Sequence, residues 1–268
     1  MASGMLTSKP TYRVLIFGME FPPSATGSAI YAARLATGLA RRGVDVQVLA
    51  PATGDGNDAV YDENQPFQII RMPHVRLVPK RYLVARRWLQ RAVAGLRPDI
   101  LWATNGLACR VSGITAIPTN THLIASIRGS DIVRRLPGRG LWTRIESVPQ
   151  RRCYLKSKAI AAASGYLRTV AIAKGVDQDK IFISPSAVDL EQLETLSKKP
   201  HASGFPDFGN QLVVLTVARL VEQKRVDLVV RAFREIADNF PDSCLVIVGD
   251  GPARSMLETQ VGASGFGA

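Results

Sequence analysis

Apolar residues in this chain fall into short runs separated by stretches of helical spacing. Tyr12–Gly18 is the first apolar run, and after a loop rich in Pro, Ser and Gly, Ser28–Arg42 repeats at the helical period. Gly43 stops that helix, and Val44–Ala50 is a second strand. The alternation continues with strand Phe67–Met72, helix Lys80–Leu96, and strand Ile100–Ala103 after the Pro98-Asp99 turn. Strand Leu123–Ile127, helix Arg139–Lys156, strand Ala159–Ala162, helix Ser164–Lys174 and strand Ile181–Ser184 complete the series. Short apolar strands alternating with helices predict a mostly parallel sheet covered on both faces. Lys198–Gly209, with two Pro and two Gly in twelve residues, reads as a linker. The pattern then restarts with strand Leu212–Val217, a loop carrying Arg219 and Lys224, and an amphipathic helix. A second strand, Leu245–Val248, is closed by Gly249-Asp250-Gly251-Pro252. This predicts one α/β domain followed by the opening part of another.

Composition narrows the partners. The 268 residues are 46% apolar and 21% charged, as in a soluble globular protein, but the net charge of +12 calls for an anionic partner. The charge is clustered: Asn64–Pro98 holds eight Lys/Arg and no acid, and Ile132–Lys158 holds eight against Glu146 alone. Within the first cluster, Leu83, Trp88, Leu89, Val93 and Leu96 share a helical face ringed by Arg81, Arg86, Arg87 and Arg91. The helix over Lys80–Arg97 has two readings. It lies on an anionic membrane surface, or it packs its apolar face inward as most amphipathic helices do. Nucleic acid is the other anion the charge brings to mind, but no aromatic-plus-basic recognition motif accompanies it.

Cys109, Cys153 and Cys244 are odd in number and widely spaced, so they form neither a disulfide framework nor a metal site. His74, His122 and His201 have no ligand or triad spacing, and no metal site is expected. Residues 1–11 lack the apolar core of a secretory signal, and no run reaches the ~18–20 apolar residues of a membrane span. These features predict a cytoplasmic protein, with peripheral attachment at the inner face of a membrane as the alternative.

Four loops at strand ends are candidates for chemistry. The loop Phe21–Ser28 leaves the first strand and enters a helix, and its Thr26-Gly27 either offers backbone N–H groups to an anion or simply caps the helix. Arg128-Gly129-Ser130-Asp131 follows a strand directly, where open α/β sheets collect ligands. Arg128 faces a phosphate or carboxylate there, or pairs with Asp131 to lock a turn. In Ser184–Asp189 the Ser-Pro turn is extended and Asp189 is a good cap for a following helix. The fourth loop presents Arg219, a planar fork, beside Lys224, a mobile point charge, a combination suited to phosphate oxygens.

Together these motifs resemble the GT-B glycosyltransferases of family 4, the retaining group 1 enzymes. The resemblance rests on Phe21-Pro22-Pro23 with Thr26-Gly27, on Leu39–Val46, and on Arg128–Asp131 and Ala187-Val188-Asp189. Val217–Lys224 and Val248–Pro252, with their spacing, are its most specific parts. It implies an α/β fold of GT-B type. An N-terminal, acceptor-side Rossmann-like domain would span residues 1–197, with a linker over 198–209 and an incomplete nucleotide-sugar-binding domain over 210–268. It also implies transfer of a sugar, with retained configuration, from a nucleotide diphosphate sugar to a glycan or lipid-linked acceptor. Arg219 and Lys224 would bind the donor diphosphate and stabilise its leaving charge without a metal. Gly27 would approach the phosphates or the acceptor, Arg128 the donor, and Thr26, Asp131 and Asp189 would line the acceptor side.

The chain departs from the family pattern in three places. Thr26-Gly27 stands where members often carry two glycines, Arg128 stands where many carry a His, and the family's Glu-x7-Glu pair is absent. The last departure implies a fragment with impaired activity. It also leaves open a non-catalytic binding module derived from such an enzyme.

Overall fold

A computed structural model describes residues 12–54, 56–129, 132, 141–199 and 206–263. The chain divides into two compact units, Met1–Leu190 and Glu191–Ala268. The six residues 200–205, inside the expected linker, lie outside the described residues.

The first unit alternates strand and helix throughout. Its elements run β1 (Arg13–Phe17), α1 (Gly27–Ala40), β2 (Asp45–Pro51), α2 (Asp58–Glu63), β3 (Gln68–Met72), α3 (Val78–Leu96) and β4 (Ile100–Ala103). They continue with α4 (Gly106–Gly113), β5 (His122–Ile127), α5 (Leu141–Lys156), β6 (Ala159–Ala162), α6 (Gly165–Ala173) and β7 (Ile181–Ile183). The seven strands form one sheet in the order β3-β2-β1-β4-β5-β6-β7, every neighbouring pair parallel. β1 is therefore central: Val14 pairs with Val46 on one side and Ile100 on the other.

A central parallel strand is covered on both faces, which is why Val14 to Phe17 are apolar without a break. Successive side chains point to opposite faces. Val14 and Ile16 join one core with Ala32, Ala33 and Ala36 of α1, whose small side chains let that helix lie close to the sheet. Leu15 and Phe17 join the other core with Leu89 and Val93 of α3 and Val111 of α4. α4 and α5 meet at Gly113, where an added Cβ would stand 1.8 Å from the Pro149 carbonyl oxygen. The strand order reverses between β1 and β4, so the loops leaving these two strands border the crevice in which such sheets seat ligands.

α3 turns inward four of the five residues expected on its apolar face, and Leu83 is the exception. Its core face is Ala85, Leu89, Ala92 and Val93, with Tyr82, Trp88 and Leu96 packed beside them, whereas Leu83 is 56% exposed. Inward packing accounts for most of the apolar face. α4 was not foreseen, because seven of its eight residues are buried and it carries no polar face to mark a helical period. Among the described residues no helix is long and apolar enough to cross a membrane.

The helix α7 (Leu190–Ser197) follows β7, and the division between the units falls at its first residue. The second unit then contains β8 (Leu212–Val217), α8 (Val226–Asn239), β9 (Ser243–Val248) and α9 (Arg254–Gly262). β8 and β9 pair in parallel from Leu212↔Ser243 to Val217↔Val248, as a strand–helix–strand crossover requires. Its core gathers Leu220, Val226, Val230 and Leu257. Leu215 and Val217 remain 58% and 70% exposed, so among the described residues one sheet face is uncovered.

Candidate functional site

The loop between β1 and α1 is built around an acid that the sequence reading passed over. Thr26 caps α1 by accepting a hydrogen bond from Ala29 N at 3.2 Å, and its hydroxyl donates to Glu20 Oε2 at 3.1 Å. The Ser28 hydroxyl donates to the same carboxylate oxygen. A negative charge thus already stands at the positive end of the α1 dipole. Gly27 is exposed, and a Cβ there would meet nothing within 4 Å, so the helix start is open to solvent.

Arg71 on β3 holds this loop in place. Its guanidinium donates to Asp62 Oδ2 at 2.9 Å and Oδ1 at 2.6 Å, to the Pro22 carbonyl at 2.6 Å, and to the Pro51 carbonyl at 3.1 Å. Asp58 lies 3.5 Å away, and the same group sits 5.7 Å from the Phe21 ring centroid. One planar fork thereby ties the β1–α1 loop to the end of β2 and to α2. Burial raises the pKa of the Tyr61 hydroxyl beside this cluster, with Arg71 working against that rise.

Between these elements and α3 lies a cavity of about 370 Å³, at the carboxyl ends of β1, β2 and β3. Glu20, Thr53, His74 and Arg81 are polar groups in its wall, and Met19, Phe21, Met72 and Val84 give it an apolar surface. Thr53 is bonded to Asp58, and His74 Nδ1 stands 3.1 Å from the Ala52 carbonyl oxygen. A carbonyl oxygen only accepts, so Nδ1 carries the proton there. The Arg81 side chain has no hydrogen bond or ion pair among the described residues, and its Nε is buried.

The structure brings Arg128 and the Ser184–Asp189 segment together on α1. The Arg128 guanidinium donates to the Ser184 carbonyl at 2.8 Å and to the Ser186 hydroxyl, and it stacks 3.5 Å from the Tyr31 ring centroid. Arg34 donates to the Ala187 carbonyl, and Arg41 lies 3.5 Å from Asp189 Oδ2. Arg128 and Asp189 therefore both anchor the turn after β7 to the first helix. Asp131 lies outside the described residues, and with it the alternative Arg128–Asp131 pairing.

In the second unit, Arg219 and Lys224 sit on the loop between β8 and α8. Both are exposed, and neither side chain has a hydrogen bond or ion pair among the described residues. Their backbone is nonetheless tightly held. Ala218 N donates to Val248 O at 3.0 Å, Leu220 N to Asp250 O at 2.9 Å, and Ala253 N to Leu220 O at 3.0 Å. Glycine is needed at the two facing positions. At Gly249 (φ +155°) an added Cβ would lie 1.9 Å from Ala218 O, and at Gly251 (φ +155°) 2.4 Å from Leu220 O. Gly249-Asp250-Gly251 is thus the backbone clamp of the Arg219 loop. Arg225, by contrast, is committed to Asp227 through bonds of 3.0 and 3.1 Å.

Glu20, Arg71 and Arg81 were not singled out from the sequence as site residues. Arg81 was one cation in a basic stretch, Glu20 bonds to Thr26 and Ser28 within its own loop and helix start, and Arg71 meets partners on other elements.

Comparison with known proteins identifies the family. The family model of Glycosyltransferase Family 4 matches residues 25–192, and that of Glycosyl transferases group 1 matches residues 199–267. The alpha-monoglucosyldiacylglycerol synthase of Acholeplasma laidlawii is 23% identical over 277 residues, covering 93% of this chain and 66% of that protein. The GDP-mannose-dependent alpha-(1-6)-phosphatidylinositol monomannoside mannosyltransferase of Mycolicibacterium smegmatis is 23% identical over 255 residues, covering 91% and 63%. The chain therefore spans about two thirds of the length of these relatives. Among solved structures, Anabaena HepE in complex with UDP-glucose has a TM-score of 0.68 at 16% identity, covering 95% of this chain and 66% of that one. The α/β fold is of GT-B type. With the first family model spanning more than half of its residues, the chain belongs to glycosyltransferase family 4.

Proposed function

We propose that the protein is a retaining glycosyltransferase that moves a hexose or related sugar from a nucleotide diphosphate sugar to a glycan or lipid-linked acceptor. The observation that carries this reading is the pair of cations, Arg219 and Lys224, without side-chain partners among the described residues, on a loop whose backbone is clamped by Gly249 and Gly251. Arg219 supplies a planar fork and Lys224 a point charge to the diphosphate. As the bond between the anomeric carbon and the diphosphate oxygen breaks, both cations stabilise the charge that develops on the leaving oxygen. Two cations in that role make a metal cofactor unnecessary.

The first unit takes the acceptor. Glu20 at the start of α1 favours acceptor hydroxyls over donor phosphates beside Thr26 and Gly27, because a second anion there would face a carboxylate. Arg128 and Asp189 shape the same side by fixing the turn after β7. The A. laidlawii and M. smegmatis relatives are named for lipid products or substrates, which supports a lipid-linked acceptor. The basic surface over Lys80–Arg97 supports peripheral attachment to an anionic membrane on the cytoplasmic side.

The decisive assay compares this chain with a form whose second unit includes the family's Glu-x7-Glu segment. Transfer from a panel of UDP- and GDP-sugars, with the product anomer read by NMR, is expected from the extended form and to be weak or undetectable from the 268-residue chain. R219A or K224A should lower kcat/KM of the extended form by roughly 10²–10³-fold, and a chelator should leave it unchanged. An extended form inert toward every donor overturns the reading.

A further inference from the structure

The cavity at the ends of β1, β2 and β3 contains a cation, Arg81, with no bonded partner among the described residues. Glu20, Thr53 and His74 all have bonding partners within the first unit. Arg81 has none among the described residues, and its Nε is shielded from solvent. A partly desolvated guanidinium without an anion is costly, and an anionic ligand would relieve that cost. Its fork matches the oxygens of a phosphate group. The rest of the wall narrows the class further. Met19, Phe21, Met72 and Val84 offer apolar surface that an inorganic ion would not use. Leu77, Arg81 and Val84 follow one another at helical spacing at the start of α3, and Leu77 is 70% exposed. A cation thus stands between two apolar residues on one helix face, beside a volume in the range of small-ligand sites. Glu20 on another wall repels an anion, so the charged end belongs at α3 and hydroxyls belong near Glu20.

We propose that this cavity binds an amphiphile carrying a phosphate group, with Arg81 as the counter-charge. Its identification as the sugar acceptor rests on the function proposed above; the binding site itself does not.

Calorimetric titration of the 268-residue chain with octyl phosphate, octyl glucoside, octanoate and inorganic phosphate, all below micellar concentrations, tests it. Octyl phosphate should bind at one site, and R81Q should weaken it at least about tenfold, the loss of a charge-assisted contact. K80Q, on the neighbouring surface, should change it less than about twofold. V84W, which fills the cavity, should weaken it too, and R81K, which keeps the charge but not the fork, should fall between wild type and R81Q. Circular dichroism checks that each variant folds. Octyl glucoside should bind more weakly and ignore R81Q, and inorganic phosphate should bind more weakly than octyl phosphate, which marks a lipid-linked rather than a free phosphate. Equal losses in K80Q and R81Q would mean diffuse surface charge and overturn the site. So would octanoate or inorganic phosphate binding as tightly as octyl phosphate. Sugar transfer by the extended form without Arg81-dependent octyl phosphate binding removes this site and leaves the glycosyltransferase reading. The reverse result keeps the site and removes only its identification as the acceptor's.

Discussion

At the scale of single residues, the second unit shows how backbone packing presents exposed cations. Gly249 and Gly251 lie against the carbonyl oxygens of Ala218 and Leu220, and no side chain fits between them. G249A should therefore lower the free energy of local opening of β8 and β9 by more than about 2 kcal/mol, measured by amide hydrogen exchange. Gly262, where a Cβ meets nothing within 4 Å, is the control, and G262A should cost nothing measurable. Asp227 supplies a pH signature. Hydrogen bonds from the Arg225 guanidinium hold its carboxyl below the ordinary aspartate value, despite an opposing contribution from desolvation. A depressed folded pKa means that the pair contributes above the unfolded value and is lost as pH falls through the folded one. Carboxyl ¹³C titration should place the Asp227 midpoint below the usual aspartate range, and R225A should return it upward.

At the scale of elements, α1 and α3 each do two jobs. α1 packs on the sheet through Ala32, Ala33 and Ala36, while Arg34 and Arg41 bind the turn after β7 and Tyr31 stacks on Arg128. The helical period put these side chains on different faces, and the long-range partners came with the fold. α3 buries Ala85 and Leu89 and turns Arg81 toward the cavity. Reading its apolar face from large residues alone placed Leu83 inward, whereas Ala85 and Ala92 complete the core face beside Leu89 and Val93. The exposure of Leu77 and Leu83, with Lys80 between them, makes the start of α3 the part of the basic stretch available to a ligand or a surface.

At the scale of the molecule, both hydrophobic cores of the seven-stranded sheet are formed from residues before Leu190. The first unit therefore contains what it needs to fold. A polypeptide of residues 1–197 should keep its far-UV circular dichroism and unfold cooperatively within a few degrees of the same transition in the whole chain. A non-cooperative or much lower transition would show that the second unit is required to complete the first. The second unit, with a four-residue buried cluster and, among the described residues, an uncovered sheet face, should exchange its amides first.

The alternation of strand and helix, the parallel sheet and the family were legible from the chain alone, because they depend on periodicities and on short motifs whose residues are neighbours in sequence. Arg219 and Lys224 were legible for the same reason: strand, cations, helix and the Gly249-Asp250-Gly251 clamp are one contiguous crossover. Buried α4 was not legible, since a helix surrounded by protein has no polar face to mark its period. The first unit's site was only partly legible. Arg71 meets Pro22, Pro51 and Asp62, Arg128 meets Ser184 and Tyr31, and the cavity wall joins Glu20, His74 and Arg81. These contacts join residues far apart in sequence. Local composition carries no record of them, and only the parallel sheet, which brings all its loops to the same edge, sets them side by side.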